Sequence, residues 1–218
     1  MKHLTGKIGL IGDVHQEDRY LGRTLRRLAD LGVDDVLCTG DIVDGEGNAD
    51  DSFRLLIDAG VFAVRGNHDR WFLMGAMRDL PGALPTGQID IEHRKWLETL
   101  PRSLRLDTPI GSLLLCHGLG ESDMATLMPD DEGYALDVND QLHKLVHNPE
   151  IDIVVAGHTH RRMVRHFDGL LVINAGTLDR HHAPGFAMLD LDEKEVVFYG
   201  FEAIGIVEVE RVRVNRGQ

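Results

Sequence analysis

The chain has 218 residues, 43% of them hydrophobic and 27% charged, proportions of a globular protein long enough to bury a substantial core. No apolar run approaches the roughly 20 residues that cross a bilayer, which excludes a helical membrane span, and the first residues lack a signal-peptide pattern, so the cytoplasm is the expected location. Thirty-six Asp and Glu against 23 Lys and Arg leave a net charge of −13, which repels the nucleic-acid backbone and disfavours nucleic acid as a partner.

Lys7–Gly12 reads as a first buried strand, and Arg19–Leu31 carries Tyr20, Leu21, Leu25, Leu28 and Leu31 at helical spacing. Asp35–Thr39 follows as a second strand, Asp51–Ala59 as a second helix and Val61–Arg65 as a third strand, an alternation that implies parallel pairing. Arg70–Leu80 and Ile91–Leu100 are expected to be helical, separated by the loop Pro81–Gly87. Ser103–Asp107 and Ser112–Cys116 predict a hairpin, Leu136–Val146 a helix and Ile151–Ala156 another buried strand. Short strands are then expected at Met163–His166, Leu170–Asn174, Gly185–Asp190 and Glu195–Gly200, with Asp168–Gly169 as a hairpin turn. Ile206–Val214 alternates apolar and polar residues, which fits an edge strand or a surface tail. No linker or repeat divides the chain, so one domain over residues 1–218 is expected, an α/β fold of two mixed sheets packed as a sandwich and flanked by helices. Cys38 and Cys116 lie inside apolar runs and read as buried thiols.

The chemistry-bearing residues fall where strands stop. Asp13 and His15 follow the first strand, Asp41 and Asp44 the second, Asn67 and His68 the third, His117 the second hairpin strand, and His158 and His160 the strand ending at Ala156. In open α/β sheets the carboxyl ends of the strands form the ligand crevice, so these segments are expected to converge. Oxygen and imidazole donors without thiolate suit a borderline divalent metal, and the set exceeds what one tetrahedral ion can use. Two ions are the natural count, because a carboxylate can bridge a pair at the spacing that clamps a phosphoryl group.

Five pieces, Asp13-Val-His15, Gly40-Asp41-Ile-Val-Asp44, Gly66-Asn67-His68-Asp69, His117-Gly118 and Gly157-His158-Thr-His160, occur in this order. Together they resemble the calcineurin-like metallophosphoesterase superfamily over residues 8–160. The resemblance implies that Asp13, His15 and His160 hold one ion, that Asn67, His117 and His158 hold the other, and that Asp41 bridges them. It implies manganese first, with iron, nickel, cobalt or zinc as alternatives. A metal-bridging hydroxide would then attack phosphorus, His68 would protonate the leaving oxygen, Asp44 would orient His68, and Asn67 would also donate to a phosphoryl oxygen. The expected substrate is a small phosphorylated molecule or nucleotide, as monoester or diester. Asp44 is followed by Gly45-Glu46-Gly47 rather than by the Arg-Gly of protein phosphatases and symmetrical dinucleoside tetraphosphatases, so the pattern is more similar to the small bacterial phosphodiesterases and phosphatases. Asn174-Ala175-Gly176-Thr177 resembles their Asn-Pro-Gly-Ser turn.

Around this set, Arg180, His181 and His182 are the candidate substrate contacts, and strand alternation lets one of Arg161 and Arg162 face the crevice. Asp69 reads as a helix N-cap, His143 and His147 as a solvated helix face, and Trp71–Met77 as core or as a wall for the leaving group. Gly45–Asp51 fits either a specificity loop or a solvated turn. The alternative to an enzyme is a catalytically weak scaffold on the same fold, which would be expected to have lost the leaving-group histidine, and His68 is present.

Overall fold

The structure, a computed structural model, describes residues 2–214. Strand β1 (Lys7–Ile11) leads into helix α1 (Asp18–Asp30), whose Leu21 and Leu28 are buried one above the other. Next come β2 (Asp35–Cys38), α2 (Ala49–Asp58) and β3 (Phe62–Ala63). Helix α2 starts two residues earlier than the apolar spacing predicts, because the Asn48 side chain accepts from Asp51 N and caps it. Helices α3 (Asn67–Met74) and α4 (Ile91–Thr99) precede the hairpin β4 (Ser103–Thr108) and β5 (Gly111–Cys116). The helix expected over Leu136–Val146 is two, α5 (Tyr134–Asp137) and α6 (Asp140–Val146), since Asn139 accepts from Leu142 N and opens a new helix. The remaining strands are β6 (Ile153–Ala156), β7 (Met163–Phe167), β8 (Leu170–Asn174), β9 (Gly185–Asp190), β10 (Glu195–Glu202) and β11 (Gly205–Arg213), the last an edge strand rather than a tail.

Two mixed sheets result, in the orders β11-β10-β9-β1-β2-β3 and β4-β5-β6-β8-β7. In the first, β1, β2 and β3 run parallel, and in the second β5, β6 and β8 do. Ile8, Leu10, Leu37 and Phe198 of one sheet meet Leu113, Leu115, Val155 and Ile173 of the other in a core between the sheets. Alternate residues face outward: Cys38, Met188 and Val197 pack under α1 to α4 with Phe53 and Phe72, whereas Cys116, Val154 and Val172 pack under α6 with Leu142 and Leu145. Both cysteines are reduced and buried, and burial pushes each thiol up to about 12, so neither offers a thiolate.

The sheets are tied together at the carboxyl ends of their parallel strands. Thr39, just past β2, accepts at its carbonyl from His117 Nδ1, just past β5, at 2.9 Å. Asp13, just past β1, forms an isolated bridge with Thr177, beyond β8. The crevice expected from strand order therefore lies where the two sheets meet.

Candidate metal centre

Three of the strand ends, those of β1, β2 and β6, turn sharply where they present their side chains. His15, Gln16, Asp41, Asp44, His158 and His160 all adopt left-handed backbone, with φ between 45° and 66°; of the other described non-glycine residues only Met77, Asp168 and Lys194 have positive φ. Such positions carry a cost of about 1–3 kcal/mol each and gather where a site requires them. Small neighbours allow the close approach: a Cβ on Gly157 would collide with Asp13 Oδ1 and the Thr39 side chain.

Asp13, His15 and His160 form one compact group, their ligand atoms all within 4.8 Å of one another. His15 Nδ1 donates to the Asp44 carbonyl at 2.7 Å, which fixes the tautomer that turns the Nε2 lone pair inward. That Nε2 lies 3.1 Å from His160 Nε2, which in turn is 3.0 Å from Asp13 Oδ2. Asp13 is fully buried, and its Oδ2 has no partner in hydrogen-bonding geometry, despite the short separation from His160. Burial would raise the Asp13 pKa, but the charges of His117 and His160 outweigh it and hold the carboxyl below its usual range. An orphaned carboxylate oxygen and two ring nitrogens aimed at one point fit a divalent ion.

Asp41, His117 and His158 form a second such group. His117 donates from Nδ1 to Thr39 and turns Nε2 toward Asn67 Oδ1 at 2.8 Å and Asp41 Oδ2 at 3.2 Å. Two oxygen acceptors facing one ring nitrogen require either a proton or a cation between them. Burial disfavours the imidazolium, yet the charges of Asp41 and Asp13 dominate and push His117 up to about 10. His158 shifts downward, through burial and the neighbouring His117, which favours the neutral ligand form. Asp41 Oδ1 accepts from His68 N at 2.8 Å, so the carboxylate sits at the N-terminus of α3.

Helix α3 begins at Asn67, not at Arg70, with Gly66 as its N-cap. Asp69 is therefore not the N-cap but the third helical residue. Its Oδ2 accepts from Gly66 N, and its Oδ1 accepts from Ile42 N and Val43 N, which fastens the Asp41 loop to the helix start. Burial and the charge of Asp41 raise this carboxyl to about 6. The first turn of α3 thus presents Asn67 to the second group and His68 beside it. His68 Nδ1 lies 2.8 Å from Asp44 Oδ2, and its ring packs edge-on against His15 at 5.1 Å and Trp71 at 4.9 Å. Burial would lower the His68 pKa, but the bond to Asp44 and the charges of Asp41, Asp44 and Asp69 raise it.

A sequence model of the calcineurin-like phosphoesterase superfamily domain matches residues 7–194. The chain belongs to that superfamily. Among curated proteins it is 25% identical over 180 residues to the uncharacterized protein MJ0912 of Methanocaldococcus jannaschii, covering 78% of this chain and 69% of that one. Among solved structures, the metallophosphoesterase from Sphaerobacter thermophilus superposes with a TM-score of 0.69 at 22% identity, covering 91% of this chain and 89% of that one. Wild-type Vps29 of Entamoeba histolytica, solved with zinc, superposes with a TM-score of 0.57 at 18% identity, covering 96% and 99%.

In this superfamily member, the three candidate substrate contacts sit differently from one another. Arg180 is clasped by Glu17, which accepts from its Nε at 2.6 Å, its Nη2 at 2.8 Å and its backbone N at 3.1 Å. That fork is already spent on a buried carboxylate. His181 Nε2 lies 2.9 Å from Glu46 Oε1. Only His182 turns toward the first group, its ring edge-on to His160 at 4.7 Å with Asp179 beside both. Arg161 and Arg162 both line a cleft of about 320 Å³ next to His160, because they precede β7 and escape strand alternation. His143 and His147 stack on each other and bond to the Asp137 and His143 carbonyls. Of Trp71–Met77, Phe72 is core and Met74 is 69% exposed. In the Gly45–Asp51 segment, Asn48 caps α2 and Glu46 meets Arg180 and His181. Sequence reasoning missed Arg78, which forks onto Asp44, the Arg70–Asp123 pair and Glu17. None carries a local signal, because each pair joins segments distant along the chain.

Proposed function

We propose that this chain hydrolyses phosphate esters of small molecules or nucleotides, as monoesters or diesters, using two divalent ions, manganese before iron, nickel, cobalt or zinc. Asp13, His15 and His160 would hold one ion; Asn67, His117 and His158 would hold the other; Asp41 would bridge them. When bound, such a pair polarises the phosphoryl group and lowers the pKa of water enough to supply a nucleophile near neutral pH.

The residues around the ions carry the rest. Asn67 directs its amide oxygen toward His117, and its amide nitrogen would donate to a phosphoryl oxygen. His68 gives its Nδ1 to Asp44, so Nε2 is the atom that protonates the departing oxygen. Its pKa is shifted upward by the bond to Asp44 and the nearby carboxylates, the direction that favours the proton-donating form. His182, packed on His160, is the best placed of the three substrate candidates.

The observation that carries this reading is the His68–Asp44 pair. It stands outside both metal groups, and neither metal storage nor a scaffold requires an acid there. Protein stripped with a chelator should be inactive on p-nitrophenyl phosphate and bis(p-nitrophenyl) phosphate and regain activity with manganese. Turnover by metal-free protein would overturn the mechanism, and silence after reloading with each candidate metal would favour the scaffold.

A further inference from the structure

The segment between α3 and α4 returns across the site. Gly75 takes a left-handed C-cap conformation, Met77 a second left-handed turn, and Arg78 then reaches back to Asp44. Arg78 Nη1 donates to Asp44 Oδ1 at 2.8 Å and Nη2 to Oδ2 at 2.8 Å, while Leu84 N adds a third bond to Oδ1 at 2.8 Å. The guanidinium is itself fixed: Nε donates to the Ala76 carbonyl at 2.7 Å, and Nη1 also donates to the Leu84 carbonyl at 2.9 Å. The Asp44 side chain is only 3% exposed. His68 Nδ1 takes the remaining position on Oδ2, so each carboxylate oxygen has two partners within the protein.

We infer that Arg78 is a positioning residue for the proton donor, a role that rests on the phosphoesterase reading of His68. A bidentate guanidinium fixes the plane of a carboxylate as well as its charge. With Oδ1 saturated and Oδ2 shared, the Asp44 carboxylate presents one lone pair to His68 and cannot turn away, and the imidazole plane follows. Arg78 thus sets where His68 Nε2 points without touching the reacting atoms. Lysine keeps the charge but not the fork, so it cannot substitute fully.

A role confined to fastening the loop would slow all substrates alike. A role in aiming the acid falls on substrates whose leaving oxygen needs a proton. The test compares a p-nitrophenyl ester with an alkyl ester in Arg78→Ala, Arg78→Lys and His68→Ala, each loaded with manganese and checked for metal content. In Arg78→Ala, kcat for the alkyl ester should fall about tenfold or more beyond any fall for the p-nitrophenyl ester, with KM moving little. Arg78→Lys should show the same bias at smaller size, and it carries the test if Arg78→Ala does not fold. In metal-free protein, the downfield His68 Nδ1 proton, assigned by its loss in His68→Ala, should broaden through faster exchange in both Arg78 variants. Equal losses on both esters, or an unchanged proton signal, would overturn the inference. If His68→Ala itself shows no leaving-group bias, the failure belongs to the assignment of His68 and not to Arg78.

Discussion

Metal uptake should be proton-linked, and the second group fixes how steeply. His117 is fully buried between Asp41 and Asp13, whose charges push its pKa up to about 10. A metal binds the neutral imidazole, so the ion must displace that proton. Well below the titration point, displacing one proton makes apparent affinity rise about tenfold per pH unit, or about a hundredfold from roughly pH 6.5 to 8.5. The slope depends on the proton count and not on the exact pKa. Stability of the metal-free protein should run the other way. A histidine raised above its ordinary 6.5 contributes stability that is complete below that value and is lost as pH climbs through about 10. Calorimetric manganese titrations in buffers of different ionisation enthalpy would count the protons, and thermal unfolding of metal-free protein would follow the opposing trend. An affinity that stays flat across that window would show that His117 carries no proton to displace, and the acceptor conflict at its Nε2 would need another resolution.

Three substitutions probe the remaining assignments. His68→Ala should keep its metal content yet lose about 10²-fold or more in turnover on esters with poor leaving groups, read from kcat on a series of leaving groups; unchanged turnover would remove it as the acid. Asp41→Asn should weaken both ions together in metal analysis, whereas loss of one ion alone would contradict a bridge. Gly157→Ala should cost about 1–3 kcal/mol in denaturant unfolding and depress binding of the first ion, since its Cβ drives into Asp13 and Thr39; a variant that folds and binds normally would refute that close approach.

The candidate site was legible because its residues sit directly after parallel strands, where apolar runs end in Asp, His or Asn within a few residues. Strand order alone then brings them together. What escaped was set by tertiary contacts. The apolar period begins at Trp71 and puts the helix start at Arg70, yet α3 already runs through Asn67 and His68, capped at Gly66 and held by Asp69. The split between α5 and α6 turns on one asparagine side chain. The sequence position of Arg180 offers it to phosphate, but Glu17, buried 163 residues earlier, takes its fork. Arg78 lay within an expected helix and gave no hint of Asp44, 34 residues upstream.

The left-handed residues explain why the candidate site needs so much support from outside its two groups. A non-glycine residue in that region gives up conformational energy wherever it stands. Glycine would relieve Asp41, Asp44, His158 or His160, but it would delete the side chain for which the turn is made. The strain must therefore be held by neighbours, and the bonds are on hand. Asp41 O accepts from Val14 N and His15 N, Asp69 accepts from the two residues after Asp41, and His158 N donates to Asp13 Oδ1. Each of these ties one strand end to another, so the turns are interdependent. That coupling accounts for a side chain such as Asp69, which belongs to neither metal group yet is as deeply buried as Asp13.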